Sequence, residues 1–444
     1  MPDRLSSAEF LRRQARPGSH DIGFGPAHIR ICLPGADLDG LAQAHGQVVV
    51  GQDQAQGGIA SCLASHSSRK WQQMLPLLGG GRSLRAEVIA MHDMSDATNN
   101  NAVNDAAGDA VYDVVVVGAG AAGLNAALVL ARACRRVAVV DAGEPRNAPA
   151  AHMQGFLSRD GMSPAALLAV GRAELAAYGV PLIEARVEQI DPGYFVRLAG
   201  GPVLRARRVV VATGLRDELP GIPGVRERWG RDVLHCPYCH GYEVRDQPIG
   251  VLGTHPGAVE HALLLRQWSA DVVFFPHTLE VGEEERERLA ARGIRVAEGV
   301  IKQLVVDGDR LRGVELAEGQ VVPRSAVFVF PRMVPHDALL TGLGCERDRG
   351  GGWVITDRSG RTSEFGVWAV GNVADPRAQV VTAAGMGSAA AIAINHDLVQ
   401  EEIERAVEDR RTADAVSSVS SYSSASLRQT GEAASLMGES RHTH

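Results

Sequence analysis

The sequence carries no excess of positive charge. Its 45 Lys and Arg are outnumbered by 52 Asp and Glu, leaving a net charge of −7. Nucleic-acid binders need a basic footprint and membrane-surface proteins a polybasic patch. Neither is present, so neither kind of partner is expected. No apolar run reaches the ~18 residues of a transmembrane helix, and the opening MPDRLSSAEFLRRQ lacks the continuous apolar core of a signal peptide. Cysteine is sparse, six in 444 residues, which excludes a disulfide scaffold. These absences point to a cytoplasmic protein. What remains is a 45 % apolar chain with 50 glycines, the composition of a soluble α/β protein long enough for two or three domains.

Two of the six cysteines stand close together, in His235-Cys236-Pro237-Tyr238-Cys239-His240. A C-x-x-C pair can close as a disulfide and reopen as a dithiol. The flanking His235 and His240 can take up or supply the thiol proton. The competing reading is half of a zinc site, which needs two further ligands at ordered spacing. Cys32, Cys62, Cys134 and Cys345 form no second pair, so the pair reads as redox-active and no metal is expected.

The first 110 residues show no sustained helical or strand period and are read as an extension and linker, largely disordered. Ser95–Gly108 is linker-like, and the folded protein is expected to begin near Met91 or Met94. From Tyr112 the pattern changes. A β-branched strand at Tyr112–Val117, a glycine turn, an alanine-rich helix at Ala121–Ala133 and a strand at Val137–Val140 make one βαβ unit. Further strands are expected at Arg208–Ala212, Pro248–Leu252, Val272–Phe275 and Gly366–Val370, with helices at Ala258–Gln267 and Ala383–Asn395. Residues 406–444 are Ser-, Glu- and Arg-rich and are read as a disordered tail.

The turn of the first unit is Gly118-Ala119-Gly120-Ala121-Ala122-Gly123. In a G-x-G-x-x-G of this kind the first glycine makes the tight turn and the second lets backbone approach a pyrophosphate. The third allows close helix–strand packing, and the helix N-terminus faces the phosphates. Asp141 closes the next strand where an acid binds a ribose hydroxyl. The motif by itself does not choose between NAD and FAD.

With these pieces in order, the chain resembles the thioredoxin-reductase-like flavoproteins over roughly residues 112–406. The matching segments are VVVVGAGAAGLNAAL, the VVVATG turn, the CPYC pair and GVWAVGNVADPRAQVVTAAGMGSAAAIAI. The resemblance implies an α/β fold of two Rossmann-like, three-layer ββα-type domains, the second inserted in the first. The FAD domain would be discontinuous, residues 111–222 with 332–405, and residues 223–331 would form the NAD(P)-binding-like insert that carries the cysteines. It further implies FAD as cofactor and a homodimer. Beyond the first turn, it places Arg146, Asn147, His152, Ala212, Thr213, Gly214, Gly371, Asn372, Gln379, Val380 and Ala383 along the FAD. Asn372 stands where the family usually has Asp.

By the same resemblance Cys239 is the flavin-proximal thiol and Cys236 the interchange thiol. His240 takes the place of the family's acid/base aspartate. The wording CPYCHGYE is similar to the branch with gliotoxin- and holomycin-type dithiol oxidases. The second nucleotide turn departs from the family. It reads Gly253-Thr254-His255-Pro256-Gly257-Ala258, with a side chain in place of the second glycine and a proline that lacks an N–H. The segment after Phe275 runs into the acids of Glu280–Glu287, where a 2′-phosphate would need bases. NADPH is therefore a doubtful reductant. The expected activity is FAD-dependent oxidation of a small-molecule dithiol to a disulfide with O2 as acceptor. The alternatives are an NADPH-dependent reductase of a thioredoxin-like protein and, in another class, a flavin-bearing redox sensor.

Overall fold

The computed structural model describes residues 111–350 and 352–436, together with a pair of two-residue strands near the start of the chain. The chain divides into two compact units, residues 1–101 and 102–444. In the first unit β1 (Gly23–Phe24) pairs antiparallel with β2 (Ala27–His28). The rest of the expected N-terminal extension and linker lies outside the described residues.

The second unit opens with β3 (Val111–Val117), α1 (Ala121–Arg132) and β4 (Val137–Asp141), the βαβ unit expected from the sequence. Next come α2 (Pro164–Ala177), capped by the Ser163 hydroxyl with Pro164 at its first turn, and β5 (Leu182–Glu184). An antiparallel pair, β6 (Val187–Asp191) and β7 (Phe195–Leu198), leads into β8 (Val203–Val211). β8 is nine residues long and starts five residues before the expected strand. Its first part pairs antiparallel with β7 and its last three residues pair with another strand on the same side, while β3 runs along its other side.

After β9 (Leu215–Glu218) the chain enters the insert: α3 (Val225–Arg228), β10 (Val233–Leu234), α4 (Pro237–His240), β11 (Ile249–Leu252), α5 (Ala258–Leu265), β12 (Val272–Phe275), α6 (Glu283–Ala291) and β13 (Arg295–Val296). A three-stranded antiparallel meander follows, β14 (Ile301–Asp307), β15 (Arg310–Leu316) and β16 (Val321–Pro323), then β17 (Ala326–Val329). The chain returns through β18 (Arg332–Pro335), which pairs with β9, so exit and re-entry form one antiparallel ribbon. It finishes with α7 (Ala338–Gly342), β19 (Val367–Ala369) and α8 (Val380–Leu436).

The main sheet runs β5-β4-β3-β8 in parallel, with β19 parallel to the end of β8. Alternation along β3 divides the core. Val114 and Val116 face α1 and α8, with Leu124, Ala127, Leu130, Ile394 and Leu398. Val115 and Val117 face the other layer, with Ile190, Val196, Leu204 and Leu340. The insert repeats this plan. Its parallel sheet β10-β17-β11-β12-β13 buries Val251 and Phe274 against α5 and α6, and Leu252 and Phe275 against the β14–β16 meander. The β6–β7 pair and the β14–β16 meander were not placed residue by residue from the sequence, because short strands carry weak periodicity.

The closing helix is longer than the expected Ala383–Asn395 and continues to Leu436, through much of the expected disordered tail. Further along, Asp397, Glu401 and Glu402 hold it on the sheet by charge. Arg208, only 4 % exposed, bonds Asp397 at 2.7 Å and Glu401 at 2.8 Å, and Arg207 reaches Asp113 and Glu402 at 2.8 Å each. From Ile403 to Asp414 every side chain is exposed. The Glu-, Arg- and Ala-rich composition here suits a helix, as these residues have high propensity, while adding nothing to a core.

α8 packs closely on α1. A Cβ added at Gly387 would lie 2.1 Å from the Ala122 carbonyl oxygen. Gly387→Ala should therefore cost about 1–3 kcal/mol by overpacking. Urea unfolding checks this as a lower midpoint with an unchanged slope.

Candidate active site

The first turn shows why its glycines are needed. Gly118 has φ +103°, and a Cβ there would lie 2.5 Å from the Ala212 carbonyl oxygen. A Cβ at Gly123 would fall 1.8 Å from the Gly118 carbonyl oxygen. Gly120, the N-cap of α1, has nothing within 4 Å of where a Cβ would sit. Bare backbone thus meets open space at the N-terminus of a 12-residue helix, a fitting cradle for a diphosphate. The space is a cleft of about 720 Å³. Gly118, Gly120, Ala121, Ala122, Asp141, Arg146, Asn147, His152, Ala212, Thr213, Gly371, Asn372, Gln379, Val380 and Ala383 all line it. Gly123 and Gly214 do not. Gly123 packs behind the turn, and the Gly214 carbonyl accepts from His336 N–H at 3.0 Å.

Three of the expected cofactor residues also hold the walls together. Asp141 accepts the Ala119 N–H at 2.9 Å with one carboxylate oxygen and pairs with Arg172 at 2.9 Å with the other. Arg146 makes a two-pronged pair with Asp217 at 2.8 Å and donates to Asn372 Oδ1 at 3.2 Å. The Asn372 amide nitrogen donates to the carbonyls of Asp375 and Ala378 at 2.9 Å. An Asp could not donate to those carbonyls, which gives the departure from the family pattern a local reason. His152 is exposed, with Nδ1 3.1 Å from the Gly161 carbonyl. Asp217 was not read from the sequence. Its role depends on β9 passing beside Arg146, a contact across 71 residues.

The cysteine pair borders the same cleft. Buried β10 delivers the chain to His235, and Cys236 caps the single-turn helix α4, with Pro237 as its first residue. Cys236 and Cys239 form a disulfide with Cα atoms 5.2 Å apart, and the Cys239 N–H points at the Cys236 sulfur at 3.2 Å. Histidines surround it. Burial pushes His235 and His240 below the usual imidazole range, though Glu243 works against this at His240. Both are thus neutral bases near pH 7. His235 Nδ1 lies 3.2 Å from the Val329 carbonyl oxygen. A third histidine, His261 on α5, sits 5.7 Å from the His235 ring, centre to centre, and is 5 % exposed. In sequence it is a single His in the apolar AVEHALLL and carries no signal of proximity to the cysteines. Among the described residues, no group of three or more His, Cys, Asp or Glu is arranged to hold a metal.

The second nucleotide turn follows β11, as the sequence suggests, but its backbone is covered. The His255 ring stacks on Phe330 with centroids 4.4 Å apart, and its Nδ1 accepts the Gly257 N–H at 2.9 Å. That N–H belongs to the N-cap of α5, the place where a helix of this fold meets phosphate. After β12 the nearby bases are engaged: Arg286 with Glu298 and Arg288 with Glu260, each at 2.5 Å.

Burial takes His261 from its ordinary pKa of 6.5 to about 3. A histidine with a lowered folded-state pKa leaves the unfolded chain holding more protons. Its contribution is therefore complete above 6.5 and is lost as pH falls from there toward 3. Urea midpoints should drop between neutral pH and about pH 5, and His261→Phe should flatten that drop.

Comparison with known proteins agrees with this geometry. The family model for pyridine nucleotide-disulphide oxidoreductases matches residues 112–387. Thioredoxin reductase sirT of Leptosphaeria maculans is 32 % identical over 309 residues, which span 64 % of this chain and 94 % of that protein. The crystal structure of HlmI is similar at 66 % identity and a TM-score of 0.67, covering 69 % of this chain and 98 % of that one. An oxidoreductase from Agrobacterium tumefaciens matches at 36 % identity and a TM-score of 0.62, covering 65 % and 99 %. Among the described residues no helix is long and apolar enough to cross a membrane. The turn, the cysteine pair and a family match extending over more than half its length all agree: this chain belongs to the pyridine nucleotide-disulphide oxidoreductases.

Proposed function

We propose that the protein is an FAD-dependent oxidase that converts a small-molecule dithiol to its disulfide, with O2 as the final acceptor. The observation that carries this reading is that one cleft joins the open first cradle to the Cys236–Cys239 disulfide, while His255 occupies the backbone of the second. FAD fits the first site, held by the bare backbone at Gly118–Ala122 and by the Gly371–Ala383 segment. Bound there, FAD supplies a two-electron acceptor for the enzyme dithiol.

The chain's own residues perform the exchange. A substrate thiolate bonds to Cys236 sulfur, the internal disulfide breaks, and Cys239 departs as thiolate. The second substrate sulfur then attacks the first, releasing the substrate disulfide and Cys236. Two protons leave the substrate in the process. His235 and His240, both lining the cleft and both uncharged at neutral pH, are the bases this reading assigns to them. The aromatic rim suits a compact substrate: Tyr238 is 64 % exposed and packs edge-on against Trp268 at 5.5 Å.

A second reading, reduction of a thioredoxin-like protein by NADPH, is favoured by relatives named thioredoxin reductase. The covered Gly257 N–H argues against it. Anaerobic mixing with NADPH and separately with a dithiol, followed by flavin absorbance, decides between the two. Bleaching by the dithiol and not by NADPH is expected, and rapid bleaching by NADPH would establish the reductase instead. Cys236→Ser and Cys239→Ser should each lower dithiol turnover by at least about 1,000-fold. Both variants should keep their FAD, which absorbance after gel filtration measures.

A further inference from the structure

His261 lies on the buried face of α5 among Ala258, Val259, Ala262 and Leu265. A histidine in such a place ordinarily has its ring nitrogens bonded. Here neither nitrogen has a hydrogen-bond partner, and the ring's approach to the His235 backbone falls short of bonding geometry. Leaving a buried imidazole N–H unpaired is unfavourable, because its hydration is lost and nothing replaces it. The ring also borders the cleft that holds the cysteine pair. An unbonded polar group at such a site fits a partner that arrives during turnover.

His235 is that partner. Its ring and that of His261 are inclined at 60° and meet the edge of Phe330 at 5.1 and 5.8 Å. His255 covers the Phe330 face, which braces the group. The Val329 carbonyl can only accept, so His235 carries its resting proton on Nδ1 and leaves Nε2 as the basic atom. Other charges reach His235 from several elements. Asp217 on β9 favours its cation, whereas Arg146 in the loop after β4 and His255 in the turn after β11 oppose it.

We propose that His261 is a positioning residue for proton transfer at Cys236: it shares with the sulfur, in a three-centre hydrogen bond, the one N–H that His235 gains at Nε2 during exchange and so stabilises an imidazolium that exists only then. The proposal rests on the exchange reading above. One substrate S–H gives its proton to His235 Nε2, and the resulting thiolate bonds to Cys236 as Cys239 departs. The second substrate thiol gives its proton to His240, and its sulfur closes the substrate disulfide. Cys236 regains a proton from His235, and Cys239 takes one from His240. Two electrons and two protons pass to the enzyme cysteines, and the enzyme disulfide is the oxidant. Held neutral by burial, His261 does not compete for the proton. Its ring, 5.7 Å from that of His235 centre to centre, keeps an uncharged acceptor beside the place where charge will develop.

The test is anaerobic single turnover of the oxidised holoenzyme with dithiothreitol, quenched and scored as oxidised dithiothreitol per chain across pH. In the wild type the rate should rise with pH as His235 loses its proton. His261→Phe should move that rise to lower pH, because the imidazolium loses its acceptor. It should also cut the plateau rate by about 10–100-fold, as loss of an outer partner does elsewhere. The half-saturating dithiol concentration should change less than about threefold if ground-state binding is untouched. His261→Gln, whose amide oxygen can accept the same N–H, should restore most of the rate and the original profile. An unmoved profile in His261→Phe, or a Gln variant no better than Phe, overturns the proposal.

Histidine ¹⁵N NMR on the wild type gives a check that needs no variant. The His261 nitrogens should shift as His235 titrates, and nitrogens blind to that titration would equally overturn the proposal. If wild-type enzyme forms no oxidised dithiothreitol at all, the exchange reading itself fails. A working wild type whose His261 variants match it sinks only the role of His261.

Discussion

The structure depends on backbone meeting backbone at one seam. α1 stands so close to β3 that the Gly123 Cα packs on the Gly118 carbonyl, and α8 so close to α1 that Gly387 packs on the Ala122 carbonyl. Side chains would hold these elements apart. With none in the way, the amides at the start of α1 open directly onto the cleft, and the Gly371 turn comes within reach of the same helix. The cradle is a consequence of close packing rather than of any single liganding side chain. The charge cluster around Arg207 and Arg208 lies beyond this seam and fixes α8 to β8, inside the sheet.

The insert has the same architecture and a different outcome. Its strand β11, turn and helix α5 repeat β3, turn and α1, down to the glycine after the strand. A single imidazole changes what the turn can do. His255 accepts the Gly257 N–H internally and rests on Phe330, so the donor that would meet an anion is already satisfied. The same Phe330 backs His235 and His261. Aromatic and imidazole rings beside this turn thus form part of the wall next to the cysteines.

Burial determines the chemistry available at the cysteine pair. His235 and His240 have no carboxylate bonded to them, and desolvation keeps both neutral. Neutral histidines are suited to taking a thiol's proton, whereas imidazolium ions would only stabilise the thiolate. The same desolvation, acting more strongly, keeps His261 uncharged at neutral pH.

By itself the sequence determined the parts whose signal is local. The βαβ unit from Tyr112, the strand–turn–helix after Ile249, the glycine turn and the cysteine pair with its two histidines are written in adjacent residues, since period, turn chemistry and spacing are short-range properties. The defect in the second turn was legible for the same reason, because His255 and Pro256 occupy fixed places in a short motif. Tertiary structure alone decided which distant residues share the cleft. Asp217 meets Arg146, Asn372 closes its turn under that same arginine, and His261 reaches His235 only because α5 folds back over β10 and β17. Short strands such as β7 and β16 and the course of α8 over the sheet were likewise settled by pairing and by ion pairs to Arg207 and Arg208. A contact between residues far apart in the chain depends on the packing of whole elements, and that is not encoded at either residue alone.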